Sequence, residues 1–563
     1  MSHGISRKDF LKLGGLAAIS LPTANLVGKV GSYDLLESPE EYGGFLVQQL
    51  ENGDSPYTVS ADYERFDSNN CIFGRMMGDP KIQDILQNTE PMAKPTDPGW
   101  RREDWALNAA TWALSEYQGA NAPFTDNHGG FLSIDPLNAS SVGGLNPQLK
   151  EPWDHSHYSE EDLANIVKKA AMFYGASLVG IAELDERWIY SRYSDTFGPS
   201  NGGEIRFTDI EDVELPEGTV PAAAGLDMIT MKLMAMNPED VKALLLDIMS
   251  KADPSMLPAD APPPAALEAM PAEQLAGMLP MILGSMPVPV LNIMAGILEL
   301  GVEITEVDPT ESRLPRYLQD GTMAIPKTMQ RVIVLGLEMD YDSMEANPTP
   351  LGQSSSGNGY SRGTFTAGTL AEFIRYLGYN AIPAVNQTSL SVPQAIDAGL
   401  GELGRQGILI TPKYGPRVRL AKVITDMPLA TDKPISFGVK EFCDVCGKCA
   451  EHCPAEAIFF EDQTMDAMNV STNPGVMKWP LDSEKCFRGW QMAGGDCGQC
   501  IKVCPFNKPE GWLHEITRIL IGAKSGAIDS LLLKLDDASG YGDGIPDAEE
   551  FWKKDNYIHV KQN

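Results

Sequence analysis

Cys443-x-x-Cys446-x-x-Cys449-x-x-x-Cys453-Pro454 is followed by Cys486 and then by Cys497-x-x-Cys500-x-x-x-Cys504-Pro505. Eight of the nine cysteines therefore fall between Cys443 and Cys504. Three thiolates at two-residue gaps can wrap three iron corners of one cubane, while the cysteine before proline reaches a second cluster. The second run lacks its usual first cysteine, because Gly494 stands there and Cys486 lies eight residues earlier. Zinc sites and disulfides are the alternatives, but a triple followed by Cys-Pro is not zinc-like spacing, and nine cysteines are too few for a disulfide scaffold. Cys71 reads as a core or free thiol, and His452 as a solvated or hydrogen-bonded residue. Two clusters in series move electrons but seldom break bonds in an organic substrate, so the bond-breaking chemistry should lie upstream.

The elements that must position such a module can be read from the rest of the chain. At 563 residues and 43% hydrophobic, the chain is long and apolar enough for two or three packed domains. Against 44 Lys and Arg stand 77 Asp and Glu, a formal charge of -33 that repels phosphate backbones and argues against a nucleic-acid substrate. Arg102 to Tyr117 and Glu160 to Ala171 have helical periodicity, the second with Ser159 at its start, and the apolar run Ala176–Ala182 reads as a buried strand. Further strands are expected at 331–337, 407–411 and 418–423, with helices at 367–377 and 514–521. The expected organisation is a signal-like region (1–30), an N-terminal wrapping region (31–158) and an α/β domain in two pieces (159–220 and 305–428). A Met- and Pro-rich helical insertion (221–304) separates those pieces, and a two-cluster module (429–525) and an acidic tail without a chemical motif (526–563) follow.

Two stretches bear on location. Basic residues before the Gly- and Ala-rich Leu13–Leu21 have the layout of an export signal, and Ser6-Arg7-Lys8-Asp9-Phe10-Leu11-Lys12 is similar to a twin-arginine signal with Lys8 in place of the second arginine. A soluble amphipathic first helix is the alternative. Leu275 to Leu298 is 24 residues without a charge, long enough to cross a bilayer, yet Pro280, Pro287 and Pro289 interrupt it. The leading expectation is a surface helical hairpin touching membrane or a partner; a buried helix pair and a true span are the alternatives. Eleven of the 25 methionines lie between Met228 and Met294, and such apolar surfaces adapt to varied partners.

From Arg331 to Pro505 the text resembles the reductive dehalogenases. The resemblance is carried by Val332-Ile333-Val334-Leu335-Gly336-Leu337-Glu338-Met339-Asp340-Tyr341, Leu377-Gly378-Tyr379-Asn380-Ala381, Gly399-Leu400-Gly401-Glu402-Leu403-Gly404-Arg405, Pro416-Arg417-Val418-Arg419 with Thr425-Asp426, and both cysteine sets. It implies an α+β protein, a nitroreductase-like α/β corrinoid-binding core followed by a ferredoxin-like two-[4Fe–4S] module. The insertion at 221–304 is not part of it. It also implies a tyrosine proton donor over cobalt with an arginine and an asparagine beside it, which map onto Tyr360, Arg419 and Asn386. A phenol can give up its proton if a fixed cation stabilises the phenolate. Taken alone, each of the three residue types is more often structural. Trp490 is either a wall of the substrate pocket or an aromatic packed beside a cluster.

By analogy with two-cluster ferredoxins, Cys443, Cys446, Cys449 and Cys504 would hold one [4Fe–4S] cluster, and Cys453, Cys486, Cys497 and Cys500 the other. The corrinoid would be base-off, and the text Asp126-x-His128-Gly129-Gly130-Phe131 does not fit the cobalt-ligating Asp-x-His-x-x-Gly pattern. The implied activity is reductive removal of halide from an organohalide in organohalide respiration. The implied partners are a small hydrophobic membrane-anchor subunit and a membrane-bound electron donor, at the outer face of the cytoplasmic membrane. An epoxyqueuosine reductase and an electron-transfer subunit without a substrate site of its own are the alternatives.

Overall fold

Four short apolar runs make the central sheet: β1 (Leu178–Glu183), β2 (Arg331–Glu338), β3 (Ala381–Ala384) and β4 (Val418–Thr425), in the order β1-β2-β4-β3 with every neighbour antiparallel. These come from a computed structural model, which describes residues 47–552 apart from 51–55, 118–152, 194–201, 252–263, 509–516, 541–550 and shorter stretches of one to three residues. The signal-like residues 1–30, Asp126 to Phe131, and residues 514–516 and 519 of the helix expected at 514–521 lie outside the described residues, while 517, 518, 520 and 521 are helical. The chain divides into two compact units, Phe207–Leu314 and the remainder.

The register aligns Val423 with Ile333, Ala421 with Leu335 and Arg419 with Leu337. Because strand side chains alternate, these residues share one face. Ile333, Leu335, Leu337, Ala421 and Val423 are buried in a core with Val167 and Leu370. The helices supplying that core are α2 (Glu160–Phe173), following α1 (Arg102–Tyr117), and α3 (Pro350–Tyr376). Ser159 caps α2 in a reciprocal capping box with Asp162. Arg419 thus continues an apolar row with a charge, pointing where Ala421 and Val423 pack α3.

The expected helix at 367–377 is the last part of a much longer one. α3 runs 27 residues, starting at Pro350 behind the N-cap Thr349, through Gly352-Gln353-Ser354-Ser355-Ser356-Gly357-Asn358-Gly359. Local propensity disfavours that text in a helix. Tertiary packing overrides it, since small residues let neighbours approach: a Cβ on Gly357 would stand 2.5 Å from Thr111 Oγ1, and one on Gly359 2.7 Å from Arg419 Cγ.

α4 (Ser391–Asp397) follows β3, and around the cluster module are α5 (Val439–Cys446), α6 (Ser483–Ala493) and α7 (Gly526–Ala538). α7 corrects the reading of 526–563 as a bare acidic tail. Its buried Ile528 and Leu532 join the core containing Phe442 of α5, and its Asp536 pairs with Lys448 at 2.7 Å and Lys508 at 2.8 Å. Upstream residues also reach the module: Gln48–Gln49 pair with Ile435–Ser436, and Arg75 meets Glu484 at 2.7 Å.

The unit Phe207–Leu314 contains the Met-rich stretch. Leu275 to Leu298 is neither a hairpin on the surface nor a span. It is broken into Ala272–Gly277, Leu279–Gly284 and Val288–Ile297, whose Leu275, Leu283, Val290 and Met294 are fully buried with Ile229 and Leu233. The prolines that argue against one straight helix stand at the starts of segments, Pro280 as the second residue of Leu279–Gly284 and Pro287 and Pro289 at the N-terminus of Val288–Ile297, and the charge-free run is this unit's own core. Asn292 ties it to the strand Glu303–Thr305 by paired 2.7 Å bonds with the backbone of Ile304. Among the described residues no helix is long and apolar enough to cross a membrane. Met231 and Met234 do stand exposed.

Candidate functional site

Two groups of cysteines meet within the module. Cys443 has Cys446, Cys449 and Cys504 as its electrostatic neighbours, and these four line one small cavity with Arg405, Gln406 and Phe442. Cys486 faces Cys497 and Cys453, and Cys500 faces the same three, with Cys449 where the groups approach each other. Gly494, in place of an expected cysteine, ends α6 in the left-handed region (φ 97°), and a Cβ there would stand 2.7 Å from the Trp105 ring. Cys486 instead brings its thiol in from α6. Burial pushes the thiols up, Cys504 to about 11 and Cys446, Cys486 and Cys497 to about 12. Metal must therefore displace protons to bind there, which couples assembly to pH. Among the described residues no three such side chains converge on one metal ion; a four-iron cubane spreads its thiolates around a larger body than the single ion of a zinc site.

Tyr360, Asn386 and Arg419 come from three different elements and converge. Tyr360 projects from the small-residue part of α3. Asn386 follows β3 and donates from Nδ2 to Tyr360 Oη at 3.2 Å. Its turn is tied to β4 by the fully buried Lys422, which donates to Val385 O at 2.6 Å and Ser391 Oγ at 2.7 Å. The Arg419 guanidinium lies over the Tyr360 ring, 5.1 Å from its centroid. It does not donate to the phenol oxygen but packs its guanidinium on the ring face. Arg419 Nη2 also donates to Ser356 Oγ at 2.7 Å and stands 3.6 Å from Asp496 Oδ2, while its Nε is buried without a hydrogen-bond partner.

Sequence reasoning missed four neighbours. Trp112 of α1 stacks on Tyr360 with centroids 5.3 Å apart, and its indole donates to Asn108 Oδ1 at 3.1 Å. Asn108 donates to Gln353 Oε1, and Gln353 donates to the Ala493 carbonyl at 2.8 Å, a buried relay from α1 through α3 to the end of α6. Asp496 is the fourth: it precedes Cys497, so its ion pair joins the trio to the second cysteine group. Only Asp496 had a sequence signal, an acid beside a cysteine. Trp490 packs with Phe73 and Phe487, both at 5.8 Å, in a small core with Ile72 and Ile82, the packing alternative for that residue.

Gly359→Ala is expected to cut turnover at least tenfold while leaving iron content unchanged. The added methyl meets Arg419 Cγ at 2.7 Å and Cβ at 3.1 Å, and overpacking costs about 1–3 kcal/mol or displaces the arginine. Thermal melting and halide release measured together would check it, and full activity would show that Arg419 need not hold this position.

Such an arrangement defines an iron–sulfur oxidoreductase in which a polar aromatic site adjoins a two-cluster relay. Residues 442–507 match the 4Fe-4S double cluster binding domain family. The chain is 29% identical over 586 residues to a tetrachloroethene reductive dehalogenase of Dehalobacter restrictus, covering 92% of this chain and 90% of that protein. It is 43% identical over 223 residues to the tetrachloroethene reductive dehalogenase of Sulfurospirillum multivorans, covering 40% and 44%. Among solved structures, a catabolic reductive dehalogenase matches with a TM-score of 0.48 and 19% identity over 89% of this chain, which spans about half of that longer one. Over most of its length the chain is thus similar to tetrachloroethene reductive dehalogenases.

Proposed function

We propose that the protein reduces an organohalide, replacing halogen by hydrogen with two electrons and one proton and releasing halide. The ion pair between Arg419 and Asp496 carries this reading, because it joins the Tyr360 site to the residue beside Cys497. In it, Cys443, Cys446, Cys449 and Cys504 hold one [4Fe–4S] cluster and Cys453, Cys486, Cys497 and Cys500 the other. Electrons pass from the first to the second, which is adjacent to the trio.

The family implies a corrinoid on a nitroreductase-like core. The donor set fits one: a phenol, an amide and a guanidinium are poor ligands for cobalt but good partners for a substrate held near a macrocycle that brings its own nitrogen ligands. When bound, the corrinoid supplies carbon–halogen cleavage. The chain's own residues handle the proton and the orientation. Tyr360 Oη holds the proton to be delivered, and Asn386 Nδ2 fixes the direction of the hydroxyl. Arg419, with an unpartnered Nε, stabilises the phenolate left after delivery. Trp112 fixes the ring plane.

The charge of -33 weighs against a tRNA substrate, and the trio weighs against an electron-transfer subunit without a site. Reconstituted protein is expected to contain about eight irons, from two four-iron clusters, and one cobalt per chain, and to release halide with a reduced viologen donor. Four irons, or zinc in their place, would overturn the ligand assignment; spectra with and without cobalamin test the corrinoid. We further place the protein at the outer face of the cytoplasmic membrane, with a small hydrophobic anchor subunit and a membrane-bound donor. The signal-like residues 6–12 support that placement, and a purely cytosolic full-length product on cell fractionation would reject it.

A further inference from the structure

The cavity lined by Cys443, Cys446, Cys449 and Cys504 has two polar walls besides its thiols, Arg405 and Gln406. Both are almost fully buried, at 3% and 4% exposure. Arg405 donates only to carbonyls: from Nε to Cys443 O at 3.1 Å, and from Nη1 to Phe459 O at 2.9 Å and Glu461 O at 3.1 Å. Its guanidinium lies 5.4 Å from the centroid of Trp479. Among the described residues it forms no ion pair, so an uncancelled positive charge is held at the cavity wall. Gln406 is unusual in a different way. A Cβ on Gly404 would stand 2.8 Å from its Oε1, so that end of the amide is closely packed, while its buried Nε2 has no oxygen or nitrogen partner and has the Cys504 thiol as its hydrogen-bonding neighbour. A buried amide N–H held against a thiol that is a candidate cluster ligand is placed to donate to sulfur.

We propose that Arg405 and Gln406 set the reduction potential of the first cluster, the uncancelled charge and the amide N–H beside the Cys504 sulfur both favouring its reduced state. This rests on the assignment of Cys443, Cys446, Cys449 and Cys504 as ligands. The step is the uptake of one electron from a low-potential one-electron donor, with no bond made and no proton moved. Reduction adds negative charge to the cluster; hydrogen bonds to cluster sulfur and nearby positive charge stabilise that state and raise the potential. Both residues line the cavity of the first cysteine group, so the effect falls chiefly on that cluster.

Titrating the holoenzyme with a chemical reductant under electron paramagnetic resonance reads both clusters in one sample. Gln406→Met is expected to lower the reduced-to-oxidised ratio of the first cluster at a fixed potential about tenfold, ~59 mV for a one-electron couple, and to leave the second unmoved. Gln406→Glu, which adds a negative charge, should lower it further. Arg405→Lys, which keeps the charge, should shift the potential less than Arg405→Met. No shift, or equal shifts in both clusters, would overturn the proposal. Should the variants fail to assemble, wild-type enzyme labelled with nitrogen-15 in its glutamine amides decides it: a glutamine nitrogen coupling must appear in the reduced first cluster, and its absence overturns the proposal. A wild-type protein with only one paramagnetic cluster would instead remove the ligand assignment, and the proposal with it.

Discussion

Tyr360→Phe should retain corrinoid and both clusters yet release halide about 10²-fold more slowly or worse, in the range of a lost general acid. Such a loss is ~2.7 kcal/mol of transition-state stabilisation. The substitution separates chemistry from packing, because phenylalanine keeps the stacking on Trp112 and the face presented to Arg419. What disappears is the Oη that accepts from Asn386 and carries the proton. Arg419→Lys should also be damaging although charge is retained. An ammonium cannot lie flat on the Tyr360 ring while reaching both Ser356 and Asp496 as the planar guanidinium does. The assay uses reduced viologen with chlorinated and brominated alkenes, alkanes and arenes. Near-normal turnover by Tyr360→Phe on any substrate the wild type accepts would remove the tyrosine from the mechanism.

Cys486→Ala should abolish turnover more completely, since it acts on electron supply. Iron content should drop by about half, from the eight atoms of two cubanes. The paramagnetic signal of the first cluster should persist while that of the second is lost. Cys486 is the informative choice among the eight because it lies outside the regular run and is brought in by α6. If both clusters survive the change, the second group is misassigned and its fourth ligand must be sought elsewhere. Loss of both would mean that the 442–507 region assembles only as a unit.

The two-cluster character of 442–507 was legible in the sequence because cubane ligation needs little beyond local spacing: a short loop carrying Cys443, Cys446 and Cys449 can close around three corners wherever it sits. The apolar strand at 331–337 and the Ser159 cap were legible for the same reason, being properties of residues a few positions apart. The resemblance named Tyr360, Asn386 and Arg419, but only the tertiary structure decided how they meet. Their meeting depends on α3 accepting Gly357 and Gly359 inside a helix against its own propensity, so that α1 and β4 can close on it. It depends too on the strand pleat that turns Arg419 to the same face as Ala421 and on the register that sets it beside Leu337. Trp112 and the Asn108–Gln353 relay were invisible because their partners lie more than 200 positions away along the chain. The uncharged run Leu275–Leu298 shows the converse limit. Hydrophobicity marks what must leave water, and whether a membrane, a partner or the chain itself covers it is decided by packing, here by Ile229, Leu233 and Leu245 within the same unit.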